Sequence, residues 1–100
     1  MKQHFFLKLI PPRPTFALDM NDAERALMLQ HVAYFQKQFE AGKVLVYGPV
    51  LAPEGFGMGV FEVESPEEVQ AIMADDPTIK AGLNTFAIYQ MRLGGAQASR

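Results

Sequence analysis

The 100-residue chain contains no cysteine. Disulfides, thiolate metal sites and cysteine nucleophiles are therefore excluded. Histidine is scarce. His4 and His31 are the only two, too few and too distant in sequence to make a dedicated metal site. Positive charge is not in excess either, with 9 Lys and Arg against 11 Asp and Glu and a formal net charge of −2. Nucleic acid and anionic membrane surfaces call for clustered Lys and Arg, so neither is expected as a partner. Long apolar runs are also missing. No stretch approaches a membrane-spanning helix, and the N-terminal MKQHFFLKLIPP is too short a run, broken by Lys8, for a signal peptide. The expectation is a soluble, cytoplasmic protein. The three glycines of GFGMG (Gly55, Gly57, Gly59) do not form GxGxxG and no helix follows them, so no phosphate cradle is expected.

What is present is enough for a core: 49% of residues are hydrophobic and 11% aromatic. One hundred residues make a single domain, 1–100, with residues 93–100 read as a frayed tail. A domain this small gains from a second copy.

The longest periodic segment, Asn21 to Gly42, predicts one amphipathic helix. Asn21 and Asp22 supply acceptors for the open N–H groups of its first turn, and Glu24 completes a capping box with Asn21. Gly42 stops it. Met28, Val32, Phe35 and Phe39 fall on one stripe, and His31 lies at its edge, half way between core and water. Before this helix, QHFFLKLI (3–10) predicts a strand with Phe5, Leu7 and Leu9 on one face and His4, Phe6, Lys8 and Ile10 on the other. A proline-rich loop, Pro11 to Met20, links the two. After the helix, KVLVYGPV (43–50) predicts a second strand, with Gly48 marking a bulge or a close backbone approach. Residues 58–64 predict a third, antiparallel to it. Ser65, Pro66, Glu67 and Glu68 open a second helix that ends near Asp76, because Pro77 disfavours helical geometry just before it. Residues 77–83 connect onward, and 84–92 predict the last strand.

The order β-α-β-β-α-β predicts an α+β, ferredoxin-like fold: a four-stranded antiparallel sheet with two helices on one face. The helices account for one buried face. Strands one, two and four are apolar on the other face too, where an exposed sheet would turn polar. A homodimer with the two sheets packed together is therefore expected.

Few residues can do chemistry. A histidine near a strand end, such as His4, ordinarily just meets solvent, and a flanking His31 could do the same. Asp75 and Asp76 end a helix, where carboxylates oppose the dipole. One of them therefore needs a partner, and His31 on the neighbouring helix is a candidate. An Asp accepting from one imidazole nitrogen would fix the tautomer and raise the basicity of the other. Tyr47 and Tyr89 could offer hydroxyls to a substrate, although tyrosine in a sheet is more often packing with a wet tip. Arg13 could meet an anion, although a solvated loop arginine is the ordinary case.

Taken in order, LQHVAYF, EAGKVLVYGPV, ADDP and KAGL resemble the YCII-related (YciI-like) proteins of the dimeric α+β barrel superfamily. The resemblance runs from the first strand to the last, and the chain departs from it in a longer, more proline-rich Pro11–Met20 loop. It implies a proposed active-site pair, carried here by His31 and Asp76, with Gly48 and Pro49 beside the same cleft. It also implies lyase-type chemistry such as elimination on chlorinated phenolic compounds, while related barrels isomerise or oxygenate rings without a cofactor. The expected function is a cofactor-independent lyase or isomerase for a cyclic or phenolic substrate, using His31 and Asp76 and no metal. The rivals are a non-catalytic ligand-binding or regulatory dimer and a purely structural pairing of the two helices.

Overall fold

The computed structural model describes residues 1–97, so the last three residues of the expected tail lie outside the described part. Its elements are β1 (Gln3–Ile10), α1 (Phe16–Asp19), α2 (Asp22–Glu40), β2 (Val44–Val50), β3 (Phe56–Val63), α3 (Pro66–Ala74), α4 (Pro77–Lys80) and β4 (Thr85–Met91). The strands form one antiparallel sheet in the order β2-β3-β1-β4, the ferredoxin-like arrangement. No helix among the described residues is long and apolar enough to cross a membrane.

The start of α2 is set by chemistry legible in the chain. The Asn21 side chain accepts from Glu24 N at 2.8 Å, and the Glu24 carboxylate accepts from Asn21 N at 3.0 Å, closing the capping box in both directions. Two helices end alike, at Ala41-Gly42 and at Ala81-Gly82. Both glycines take positive φ, 79° and 73°. Lys43 N then reaches Gln38 O and Gly42 N reaches Phe39 O, while Leu83 N reaches Thr78 O and Gly82 N reaches Ile79 O. These are two Schellman closures, which satisfy the last helical carbonyls.

The core lies between the sheet and the helices. Phe5, Leu7 and Leu9 project toward Phe35, and Phe61, Val69 and Met73 close the layer. Phe35 meets Phe61 edge to face, with ring centroids 5.9 Å apart.

Three sequence expectations need correction. The bulge in β2 is not at Gly48. The register shifts between Val44 and Val46, so Leu45 is the extra residue, and a Cβ at Gly48 would meet nothing. The shift lets Val44 and Tyr47 both pack on the core while Val46 stays 49% exposed. The α2 stripe is rotated as well: His31 and Phe35 are buried, whereas Val32 and Phe39 are exposed. The proline-rich loop contains a helical turn, α1, whose Phe16 is buried. Arg13 ties that turn down by bonding both Glu24 oxygens and Asp19. The Arg13 bond, followed by the Asn21 N–H, holds the Glu24 carboxyl down to about 2.

Candidate active site

Asp76 lies where α3 gives way to α4. Pro77 forbids it helical geometry, and it takes extended backbone with φ −62° and ψ 129°. Asp75 is thus the last cap of α3, and Asp76 is the N-cap of α4 rather than the tail of the preceding helix. Asp76 Oδ1 accepts from Thr78 N at 2.8 Å and from Thr78 Oγ1 at 2.6 Å. Oδ2 meets His31 Nδ1 at 2.6 Å. Asp76 and Thr78 are both fully buried. Burial on its own would push the Asp76 carboxyl up. The bonds from His31 and Thr78 outweigh it and hold the group below its ordinary value.

A carboxylate at Oδ2 requires a donor opposite, so Nδ1 of His31 carries the proton. Nε2 is then the nitrogen with the free lone pair, and it has no protein partner among the described residues. The ring is held from below by Phe35, one turn along α2, with centroids 4.6 Å apart. Tyr34, on the same face, donates to Ile72 O at 2.6 Å and ties α2 to α3 beside the pair.

His31 lines a half-open cavity of about 700 Å³ between the Pro11–Met20 loop, α2 and the β2–β3 hairpin. Its wall is almost wholly apolar, with Pro14, Phe16, Met28, Pro49 and Pro53 among its members and no Asp, Glu, Lys or Arg. Leu18 and Leu51 stand at its edge, each more than nine-tenths exposed.

The predicted site residues separate into three groups. His31 and Asp76 meet directly. Gly48 and Pro49 line the same cavity. Tyr47 lines it too, but through its ring, because its hydroxyl donates to Gln36 on the outer side of α2. The expectation of a Tyr47 hydroxyl offered to substrate is therefore corrected. Tyr89 lies elsewhere, 57% exposed on the face of the sheet away from the helices, and Arg13 is occupied by its two carboxylates. Among the described residues no three His, Asp or Glu side chains are grouped to hold a metal ion.

Two site residues were missed in the sequence. Thr78 pins the second oxygen of Asp76, and the signal was there: Asp-Pro-Thr is an N-cap with a hydroxyl two residues on. Asn84 reads as the first residue of a strand but lies just ahead of β4 and lines the cavity, 3% exposed. Its Nδ2 donates only to Met28 Sδ at 3.5 Å, and its Oδ1 has no partner.

Comparison with known proteins agrees with this architecture. The model of the YCII-related domain matches residues 4–92. Among solved structures, the chain is similar to the 5-chloro-2-hydroxyhydroquinone dehydrochlorinase TftG from Burkholderia phenoliruptrix AC1100, in complex with 2,5-dihydroxybenzoquinone. That likeness has a TM-score of 0.67 and 25% identity, and it covers 90% of this chain and 95% of the other. No curated protein matches the sequence. With the family pattern matched from His4 to Arg92, the chain belongs to the YCII-related family, within the dimeric α+β barrel superfamily.

Proposed function

We propose that the protein is a cofactor-independent enzyme of lyase or isomerase type for a small cyclic or phenolic molecule, with His31 as general base and acid and Asp76 as its positioning partner. One observation carries the reading: the buried 2.6 Å contact between Asp76 and His31 Nδ1, with the imidazole in the wall of an apolar cavity large enough for a substituted ring. The similarity to a dehydrochlorinase of a phenolic compound supports the reaction class.

In this reading His31 Nε2 takes a proton from a ring hydroxyl, or from a carbon beside a carbonyl. The electron pair left behind has two outlets. It can expel a leaving group such as halide from a tetrahedral carbon of the ring's keto tautomer, for a net loss of HX, with the imidazolium proton passing to water. Or it can be reprotonated elsewhere on the ring by the same imidazolium, which is an isomerisation. Asp76 stabilises the imidazolium without taking its proton, and the apolar wall strengthens that attraction by excluding water. The carboxylate below its ordinary pKa is suited to that role.

The test is a panel of chlorinated hydroquinones, phenols and lactones, read by halide release and ring absorbance. His31→Ala is expected to lower turnover on the order of 10²–10⁴-fold. Unchanged turnover in that variant contradicts the reading, and binding without any product favours a ligand-binding or regulatory module instead.

We further propose that two copies pair through the sheet face opposite the helices. Phe6, Ile10, Met58, Val60, Val46 and Tyr89 all lie on it, and Ile10, Val46 and Tyr89 are at least a third exposed in the single chain. A face this apolar is a poor one to leave in water.

A further inference from the structure

We propose that Asn84 is the second polar contact of the cavity, and that it selects neutral rings bearing a hydroxyl or carbonyl oxygen. The inference rests on the cavity being the ligand site.

The polar groups available inside the cavity are few. Tyr47 has turned its hydroxyl out to Gln36, and His31 has committed Nδ1 to Asp76. Among the side chains of the wall that leaves His31 Nε2 and the Asn84 carboxamide. Of the described residues, Asn84 Oδ1 is the one buried side-chain atom without a hydrogen-bond partner. Its nitrogen has only the thioether of Met28, a weak acceptor. Leaving a buried amide so poorly paired is costly, and a leucine of the same shape would fill the space without that cost. Packing alone therefore gives no reason for asparagine at a cavity wall, whereas a ligand oxygen does.

The position is also right. Leu83 N and Asn84 N both donate to Thr78 O, at 2.9 and 3.2 Å, and Thr78 is the residue that pins Asp76. Asn84 is thus fixed to the frame that holds the His31–Asp76 pair. Its contact, Met28, lies one turn before His31 on the same face of α2. The oxygen is shut off from solvent as it stands, so it meets a ligand by rotation about the terminal torsion, which is broad in asparagine.

Chemistry then narrows the ligand. A carboxamide accepts from a hydroxyl and donates to a carbonyl, so Asn84 could hold a ring oxygen before and after a proton leaves it. The cavity wall has no Lys or Arg to pair with a carboxylate or phosphate substituent, and the nearby Arg13 is committed to Glu24 and Asp19. The fitting ligand is an uncharged, oxygenated ring.

The test compares hydroquinone with p-xylene, a ring of similar shape without oxygens, by NMR titration of the full chain. Wild type is expected to prefer hydroquinone. Asn84→Leu is expected to weaken hydroquinone binding by about tenfold or more, the worth of one hydrogen bond, while p-xylene binds as before or tighter and the melting midpoint holds or rises. Wild-type binding with no preference, or an Asn84→Leu variant that keeps it, overturns the proposal. So does a variant that loses both ligands together with its melting midpoint, which would mark a structural asparagine. Binding is read without turnover. A His31→Gln variant that no longer turns over, yet still prefers hydroquinone, supports Asn84 whatever becomes of the proton-transfer reading.

Discussion

The sheet has two faces, and each carries a histidine paired with a carboxylate. On the open face His4 Nε2 meets Glu62 at 3.0 Å, as direct cross-strand neighbours whose side chains are 18% and 33% exposed. On the helix face His31 Nδ1 meets Asp76 at 2.6 Å, with the carboxylate fully buried. The residue types are nearly the same, but the surroundings differ. Among the described residues the Glu62 carboxylate offers one oxygen to His4 and has no other hydrogen-bond partner, whereas both Asp76 oxygens are occupied, one by His31 and the other by Thr78 twice. His31 lines the cavity, and His4 does not. A histidine beside an acid is therefore common chemistry. What marks a site is an acid that cannot turn away and an imidazole in a cavity wall with one nitrogen left free.

The largest break in this comparison should come from Asp76→Asn. An asparagine keeps the cap, accepting from Thr78 with its oxygen, but it presents N–H₂ to His31. Nδ1 must then accept, the proton moves to Nε2, and the base is lost. Turnover should fall on the order of 10²–10⁴-fold. Glu62→Gln, the matching change on the other face, should leave it within about twofold, since His4 and Glu62 lie across the sheet from the cavity and line no part of it.

The next effect is on stability, and it depends on pH. The folded carboxyl of Asp76 lies below its ordinary 3.8. Its contribution is therefore fully present above that value and is lost as pH falls through the folded pKa. Denaturant titrations should show the margin of wild type over Asp76→Asn shrinking as pH falls below 3.8. A margin that holds or grows below that value contradicts the assigned charge. The same titration on Glu62→Gln should show little margin at any pH.

The open face has its own prediction. Val46→Glu combined with Tyr89→Glu puts two charges on a surface already exposed in the single chain, so the fold should survive. Sedimentation should show dimers for wild type at micromolar concentration and monomers for the variant. A wild-type monomer contradicts the pairing.

The smallest effect concerns the frame. Gly82→Ala meets no atom within 4 Å, so only its φ of 73° resists the change, at about 1–2 kcal/mol. That loosening sits two residues before Asn84 and four after Thr78, so it should raise a ligand's Kd more than it lowers the melting midpoint. Gly42→Ala, with the same strain at the end of α2, should lower only the midpoint.

Much of this was legible in the chain, because local chemistry decided it. Asn21, Glu24, Gly42, Ser65 and Pro66 set helix ends without help from the rest of the fold, and their order gave the topology. The departures arise where a distant partner decides. Period alone places Val32 and Phe39 on the buried stripe of α2 as readily as His31. Only Asp76, 45 residues away, makes His31 a residue that can be buried. Leu45 bulges to keep both Val44 and Tyr47 on the core, a demand of packing that no turn residue announces. The helical turn at Phe16 depends on Arg13 reaching Glu24 across the loop. The two helix-end acids are alike in the sequence, and only Asp76 meets His31, because it opens α4 as well as following α3.

The central claim is that Asp76 sets the tautomer of His31. The most direct measurement is a long-range ¹H–¹⁵N correlation spectrum of the two imidazoles at pH 7.5, in wild type and in Asp76→Asn, with His4 as the internal comparison. The account predicts His31 as the Nδ1–H tautomer in wild type, reversed to Nε2–H in the variant, with His4 unchanged between them. A wild-type His31 that is Nε2–H, or a solvent-averaged mixture indifferent to Asp76, contradicts it.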